Sequence, residues 1–326
     1  LEHGGCVSES GARPRILFAT DLSRSAEGAE VYASTLAASW GATLTVVSVL
    51  EFPPGLNPEY PVNRLYLAEL MKQATEGLTE LKERTSARGI SVQTRIATGI
   101  PSEEVLAVAN AEGTDLIVVG TIGKTGITHV LLGSTAERII RTAPCPVMAV
   151  RTERSGAKQG GGTQPSVELR RILVPIDFSD CSLDALEYAV IVAQRAKASL
   201  TLLHVLEPVS YGLDFTFPHP DKREQQREAI TSRLDGLVSS LASVQVTADY
   251  LLRGGLPNDS ILEAAKTGSA DLIVMGTHGR RGLSHALYGS VAESVLRQSH
   301  CPVLTVRNPK LDPGHRRVLT ARPPSQ

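Results

Sequence analysis

Short apolar runs recur along the chain, and stretches of helical period separate them. Arg15–Thr20, Leu44–Leu50, Leu116–Val119 and Pro146–Val150 show almost no polar alternation. Such runs fit strands buried on both faces, as in a parallel sheet. Ser91–Ala97 alternates and reads as a third strand between the second and fourth. Helical periodicity covers about Ser25–Trp40, with Gly41 as a stop, and about Arg64–Ala87. A third helix follows the turn Thr98-Gly99-Ile100-Pro101 and runs to about Ala111, and a fourth starts at Ser134. Glu51–Pro61 holds four prolines and reads as a loop.

The pattern then starts again. Arg171–Asp177 repeats the first strand and the aspartate that ends it. Asp21 and Asp177 lie 156 residues apart, as do Gly120 and Gly276, Ser134 and Ser290, and Cys145 and Cys301. One constant offset implies a tandem duplication. The expected organisation is a flexible tail at 1–13, a first domain at 14–152, a linker at 153–169, a second domain at 170–308 and a flexible tail at 309–326. The linker carries Gly160-Gly161-Gly162 and almost nothing apolar. Strands alternating with helices predict an α/β fold. Two tandem doubly wound domains are expected, each a five-stranded mostly parallel sheet with helices on both faces. Ligands of such sheets bind beyond the carboxyl ends of the strands, where strand order reverses. Strands one and four flank that point, ending at Asp21 and Gly120.

Composition narrows the function. A length of 326 residues suits two domains, and the net charge of −1 gives no pull toward nucleic acid or an anionic membrane. No apolar run approaches the ~18 residues of a membrane span. Leu1–Arg13 has no signal-peptide core. Cys6, Cys145, Cys181 and Cys301 form no CxxC and meet no histidine cluster at zinc spacing. Cys145 and Cys301 read as small buried hydrophobes, and reduced cysteines point to the cytoplasm.

The chemistry concentrates in one repeated stretch. Asp115–Ser134 reads DLIVVGTIGKTGITHVLLGS, and Asp271–Ser290 reads DLIVMGTHGRRGLSHALYGS. Each is an apolar run, a glycine loop and a helix start, which together offer backbone N–H groups to an anion. Ser134-Thr135-Ala136-Glu137 and Ser290-Val291-Ala292-Glu293 have the spacing of capping boxes. Lys124, Arg280 and Arg281 can neutralise phosphates or simply face solvent. Gly123-Lys124-Thr125 imitates the end of a Walker A loop, but Val118 stands where that motif needs glycine. Asp21 and Asp177 suit a turn or helix cap, and equally a ribose acceptor or a ligand for Mg²⁺. His278 faces Ile122 in the other copy, and His204 faces Ser48, so both read as structural or incidental. No nucleophile, base and orienter recur together, so no catalytic constellation is expected.

These stretches resemble the universal stress protein family, present as a tandem pair. The resemblance rests on the first-strand patterns ILFATDLS and ILVPIDFS. It rests also on the spacing Gly-x2-Gly-x9-Gly-Ser at Gly120, Gly123, Gly133 and Ser134, and at Gly276, Gly279, Gly289 and Ser290. It implies ATP as the bound cofactor, with no metal site beyond Mg²⁺ accompanying the nucleotide. By the same resemblance Asp21 and Asp177 would meet ribose, and Val49 and Val205 would meet adenine through their backbone. Gly120 and Gly276 would lie near ribose. Gly123, Gly133, Ser134 and Thr135 would surround one set of phosphates, and Gly279, Gly289, Ser290 and Val291 the other, with the loop cations Lys124 and Arg280 as further candidates. The implied function is a nucleotide-dependent stress-response or regulatory module. The alternative is a slow ATPase or a nucleotidyl-transfer enzyme on the same fold. The expected partners are an adenine nucleotide and the second domain. The latter would form an intramolecular pseudo-dimer through Val147–Val150 and Val303–Val306, and a homodimer is also open.

Overall fold

The computed structural model describes residues 13–51, 60–121, 132–151, 167–207, 220–278 and 289–307. Most of the expected linker and both expected tails lie outside the described residues. The chain divides into two compact units. One is Leu1–Val167 with Pro302–Arg307, the other Glu168–Cys301 with Asn308–Gln326.

The first unit opens with β1 (Arg15–Ala19), a 3-10 turn (Arg24–Ala26), α1 (Glu27–Trp40), β2 (Thr43–Leu50) and α2 (Pro61–Ser86). It continues with β3 (Ser91–Thr98), α3 (Pro101–Glu112), β4 (Leu116–Gly120), α4 (Ser134–Thr142) and β5 (Val147–Val150). The second unit repeats the order with β6 (Arg171–Pro175), α5 (Asp180–Ala196), β7 (Ser199–Leu206) and α6 (Pro220–Ser243). There follow β8 (Ala248–Gly254), α7 (Pro257–Thr267), β9 (Leu272–Gly276) and α8 (Ser290–Gln298). The last strand, β10 (Val303–Val306), belongs to the first unit.

The helix boundaries have local causes. Proline at the first helical position of α2, α3 and α7 removes an N–H that would have no partner there. Gly41 ends α1 with φ 61°, and Gly113 ends α3 with φ 62°, the left-handed conformation that closes a helix cheaply for glycine. The first helix starts at Glu27, two residues later than its periodicity suggests, because the 3-10 turn takes up the preceding residues.

In the first unit the strands run in the order β3-β2-β1-β4-β5-β10. The β3-β2, β2-β1, β1-β4 and β4-β5 pairs are parallel. β10 lies antiparallel on β5, with Leu304 opposite Met148, so the β5 edge is covered. In the second unit the order is β9-β6-β7-β8, with parallel β9-β6, β6-β7 and β7-β8 pairs. The strand order therefore reverses between β1 and β4, and again between β6 and β9. Right-handed crossovers on the two sides of that reversal put helices on opposite faces. This double cover explains the unbroken apolar runs: Ile16, Leu17, Phe18 and Leu116–Val119 are all buried, as are Ile172–Val174 and Leu272–Met275.

Candidate functional site

In each unit the strand order reverses between two parallel neighbours, and the carboxyl ends of that pair are the candidate site. In the first unit Ala19 pairs with Val119. Asp21 and Thr121 follow the carboxyl ends of these two strands. In the second unit Leu173 pairs with Ile273, and Asp177 and Thr277 follow the carboxyl ends of β6 and β9.

The aspartates sit in matching turns. Asp21 Oδ1 accepts from the Ser23 N–H at 3.0 Å and from Ser23 Oγ at 2.6 Å. Asp177 Oδ1 accepts from the Ser179 N–H at 2.9 Å and from Ser179 Oγ at 2.6 Å. The residue between has a left-handed backbone in both cases, φ 58° at Leu22 and φ 62° at Phe178. The side chain thus closes a local turn on its own backbone. The turn role of the aspartates is present, and a ligand role would have to be added to it. Sequence reasoning passed over the serines as partners, although Asp-x-Ser stands at the same place in both halves.

The glycines have two different uses. The Gly133 N–H donates to the Thr121 carbonyl at 2.9 Å, and a Cβ on Gly133 would approach that oxygen to 3.2 Å. The Gly289 N–H donates to Thr277 in the same way, also at 2.9 Å. These bonds tie the starts of α4 and α8 to the ends of β4 and β9. Gly133 and Gly289 are themselves the N-cap residues, and no side chain caps either helix. The expected capping boxes are therefore absent: Ser134 and Ser290 are the first helical residues, one position too late to cap. The strand-end tie fixes where the chain enters each helix and so overrides the Ser-x-x-Glu spacing. An N-terminus of this kind, positive by its dipole and without a capping oxygen, suits an anion.

Gly276 serves packing. A Cβ there would come within 2.8 Å of Cys181 Sγ and 2.9 Å of the Cys181 carbonyl oxygen. Burial pushes the Cys181 thiol up, against backbone hydrogen bonds from His278 and Thr277 that pull it down. The contact joins residues 95 positions apart, and no local pattern signals it.

Ser134 and Ser290 are exposed at their helix starts, and Thr135 and Val291 are half-buried beside them. Val49 and Val205 lie near the ends of β2 and β7, opposite Ala97 and Arg253. Gly120 and Gly276 end β4 and β9. Gly123, Lys124, Gly279 and Arg280 lie outside the described residues. Asp21 thus follows β1, and Gly120 ends its neighbour β4, to which the Gly133 helix start is tied. Asp177 follows β6, and Gly276 ends its neighbour β9, to which the Gly289 helix start is tied. Among the described residues no group of three His, Cys, Asp or Glu side chains could hold a metal ion. No described helix is long and apolar enough to cross a membrane.

His204, which the sequence reads as structural or incidental, has a defined place beside the Asp177 turn. It is buried on β7, and its Nδ1 lies 2.6 Å from the Ile176 carbonyl oxygen, one residue before Asp177. Its ring stands 5.2 Å from that of Phe178.

The same architecture occurs in known proteins. Over 297 residues the chain is 28% identical to the universal stress protein Rv2005c of Mycobacterium tuberculosis, covering 84% of this chain and 93% of that one. One domain's length, 149 residues, is 35% identical to the universal stress protein MJ0531 of Methanocaldococcus jannaschii, covering 43% of this chain and 84% of that one. The crystal structure of a universal stress protein from Archaeoglobus fulgidus shares the fold with a TM-score of 0.67 at 24% identity, over 90% of this chain and 96% of that one. The model of the universal stress protein family matches twice, at residues 13–151 and 168–307, and the chain accordingly belongs to that family as a tandem pair.

Proposed function

We propose that each unit binds an adenine nucleotide, ATP in the first instance, and that occupancy makes the chain a nucleotide-dependent module of the stress response. One observation carries this reading. At each reversal of strand order, an aspartate turn follows one strand and a glycine-capped helix N-terminus is tied to the end of its parallel neighbour. The pairing suits a ligand with hydroxyls at one end and negative charge at the other. Asp21 and Asp177 would accept from ribose, and the backbone at Val49 and Val205 would meet adenine. The starts of α4 and α8 would face phosphate, with Ser134, Thr135, Ser290 and Val291 around it. Gly123 and Lys124, and Gly279 and Arg280, would complete the phosphate side, and Mg²⁺ would arrive with the nucleotide.

Titration calorimetry with ATP on nucleotide-free protein tests the proposal. The expected stoichiometry is two per chain. In Gly133→Asp a carboxylate enters the phosphate side of one site, and the stoichiometry should fall to one. Losing two or three charge-assisted hydrogen bonds at ~1.5–3 kcal/mol each erases micromolar binding. No binding by folded, nucleotide-free protein would refute the reading.

A further inference from the structure

The two sites are built on the same frame, but their supports differ. In the second unit the Phe178 ring, next to Asp177, touches two groups. The exposed Arg233 of α6 lies over it, with Cζ 3.7 Å from the ring centroid. The buried His204 of β7 stands 5.2 Å away at a 40° tilt. His204 also bonds through Nδ1 to the Ile176 carbonyl at 2.6 Å. The imidazole therefore holds the residue before Asp177 and the residue after it. In the first unit the three matching positions are Gly77, Leu22 and Ser48. There Leu22 lies against the α2 backbone, its Cδ1 3.0 Å from where a Cβ on Gly77 would stand. The Leu22 N–H also donates to Thr20 Oγ1 at 3.0 Å, a bond with no counterpart at Ile176.

Leu22 and Phe178 both hold a left-handed backbone, which such side chains adopt only where the surroundings enforce it. What enforces it decides how firmly the aspartate is aimed. From this contrast we infer that His204 is a positioning residue for Asp177 and that the two nucleotide sites are not equivalent. The inference rests on the nucleotide reading above. The second site owes its aim to an imidazole, an aromatic ring and a guanidinium. The first owes its aim to a leucine packed on a glycine.

The experiment uses the full chain in two backgrounds. Gly133→Asp leaves the second site to be read, and Gly289→Asp leaves the first. In the Gly133→Asp background, His204→Leu frees the turn. If about one molecule in ten then holds the competent aspartate, the Kd for ATP rises about tenfold. In the Gly289→Asp background the same change leaves the Kd as it was. His204→Asn keeps an N–H for the Ile176 carbonyl and recovers most of the loss. Thermal melts establish that each variant folds. If the leucine variant does not fold, Phe178→Leu, which installs the first unit's residue, carries the same expectation at the second site alone. An unchanged Kd at the second site, an equal loss at both sites, or an asparagine no better than leucine would each overturn the assignment. Absence of ATP binding in the unaltered chain defeats the nucleotide reading, and the assignment with it.

Discussion

Cys181 and Cys301 show how a single buried atom couples the fold to pH. Burial raises both thiols above the ordinary value, opposed at Cys301 by a hydrogen bond with Ser299. A group whose ionisation is harder in the folded state favours folding while it stays protonated. Its contribution is complete below the ordinary thiol pKa of about 8.5 and is lost as pH rises through the folded value. The midpoint of urea unfolding should therefore hold between about pH 7 and 8, then fall from about pH 8.5 upward. Replacing both cysteines with alanine should flatten part of that fall, and an identical slope in the variant would contradict the cause given. Burial of Cys301 was legible from its apolar setting before Pro302. The approach of Cys181 to Gly276 was not, because it is a tertiary contact between a helix start and a strand end.

At the scale of one element, the start of α5 does more than its counterpart in the first unit. Ser179 bonds to Asp177 and also caps the helix, its Oγ accepting from the Ser182 N–H at 3.3 Å. Ser23 bonds to Asp21 and to Ser25 Oγ, but makes no helix cap. Ser179→Ala should thus cost about 1 kcal/mol more than Ser23→Ala, the usual value of an N-cap oxygen. Chemical denaturation of the two variants measures this, and equal costs would show that the 3.3 Å bond adds nothing. The strand-ending aspartates made a turn legible in both halves, and the serines that close it were passed over. The cap was hidden, because Ser23 and Ser179 occupy equivalent positions and only the structure shows one leading into a 3-10 turn and the other into a helix. The Ser134 and Ser290 starts failed for the opposite reason. Their spacing was right, but the Gly133–Thr121 and Gly289–Thr277 bonds set the N-cap one residue earlier.

For the whole molecule, the constant offset of 156 residues made the tandem architecture legible, and unbroken apolar runs made the parallel sheets so. The pairing of Val303–Val306 with Val147–Val150 is expected from two short apolar edge strands, while its antiparallel register, with Thr305 Oγ1 donating to the Val147 carbonyl at 3.1 Å, rests on contacts 158 residues apart. The duplication also bears on chemistry, because a catalytic group essential to both sites should appear in both copies. The acidic groups recurring just past the described strand ends are Asp21 with Asp177 and Glu51 with Glu207. Each aspartate already accepts a serine hydroxyl and an amide. Fast phosphoryl transfer needs more than amides and cations around a ground-state triphosphate. It needs an oriented water or acceptor and charge placed for the transition state. Groups that hold substrate and transition state equally well give affinity without rate. ATP turnover should therefore fall far below the ~1–100 s⁻¹ of kinases. The nucleotide would then persist long enough to act as a signal. Steady-state phosphate release with Mg²⁺ decides the matter: kinase-like turnover that disappears in Asp21→Ala combined with Asp177→Ala would make the aspartates catalytic and the chain an enzyme.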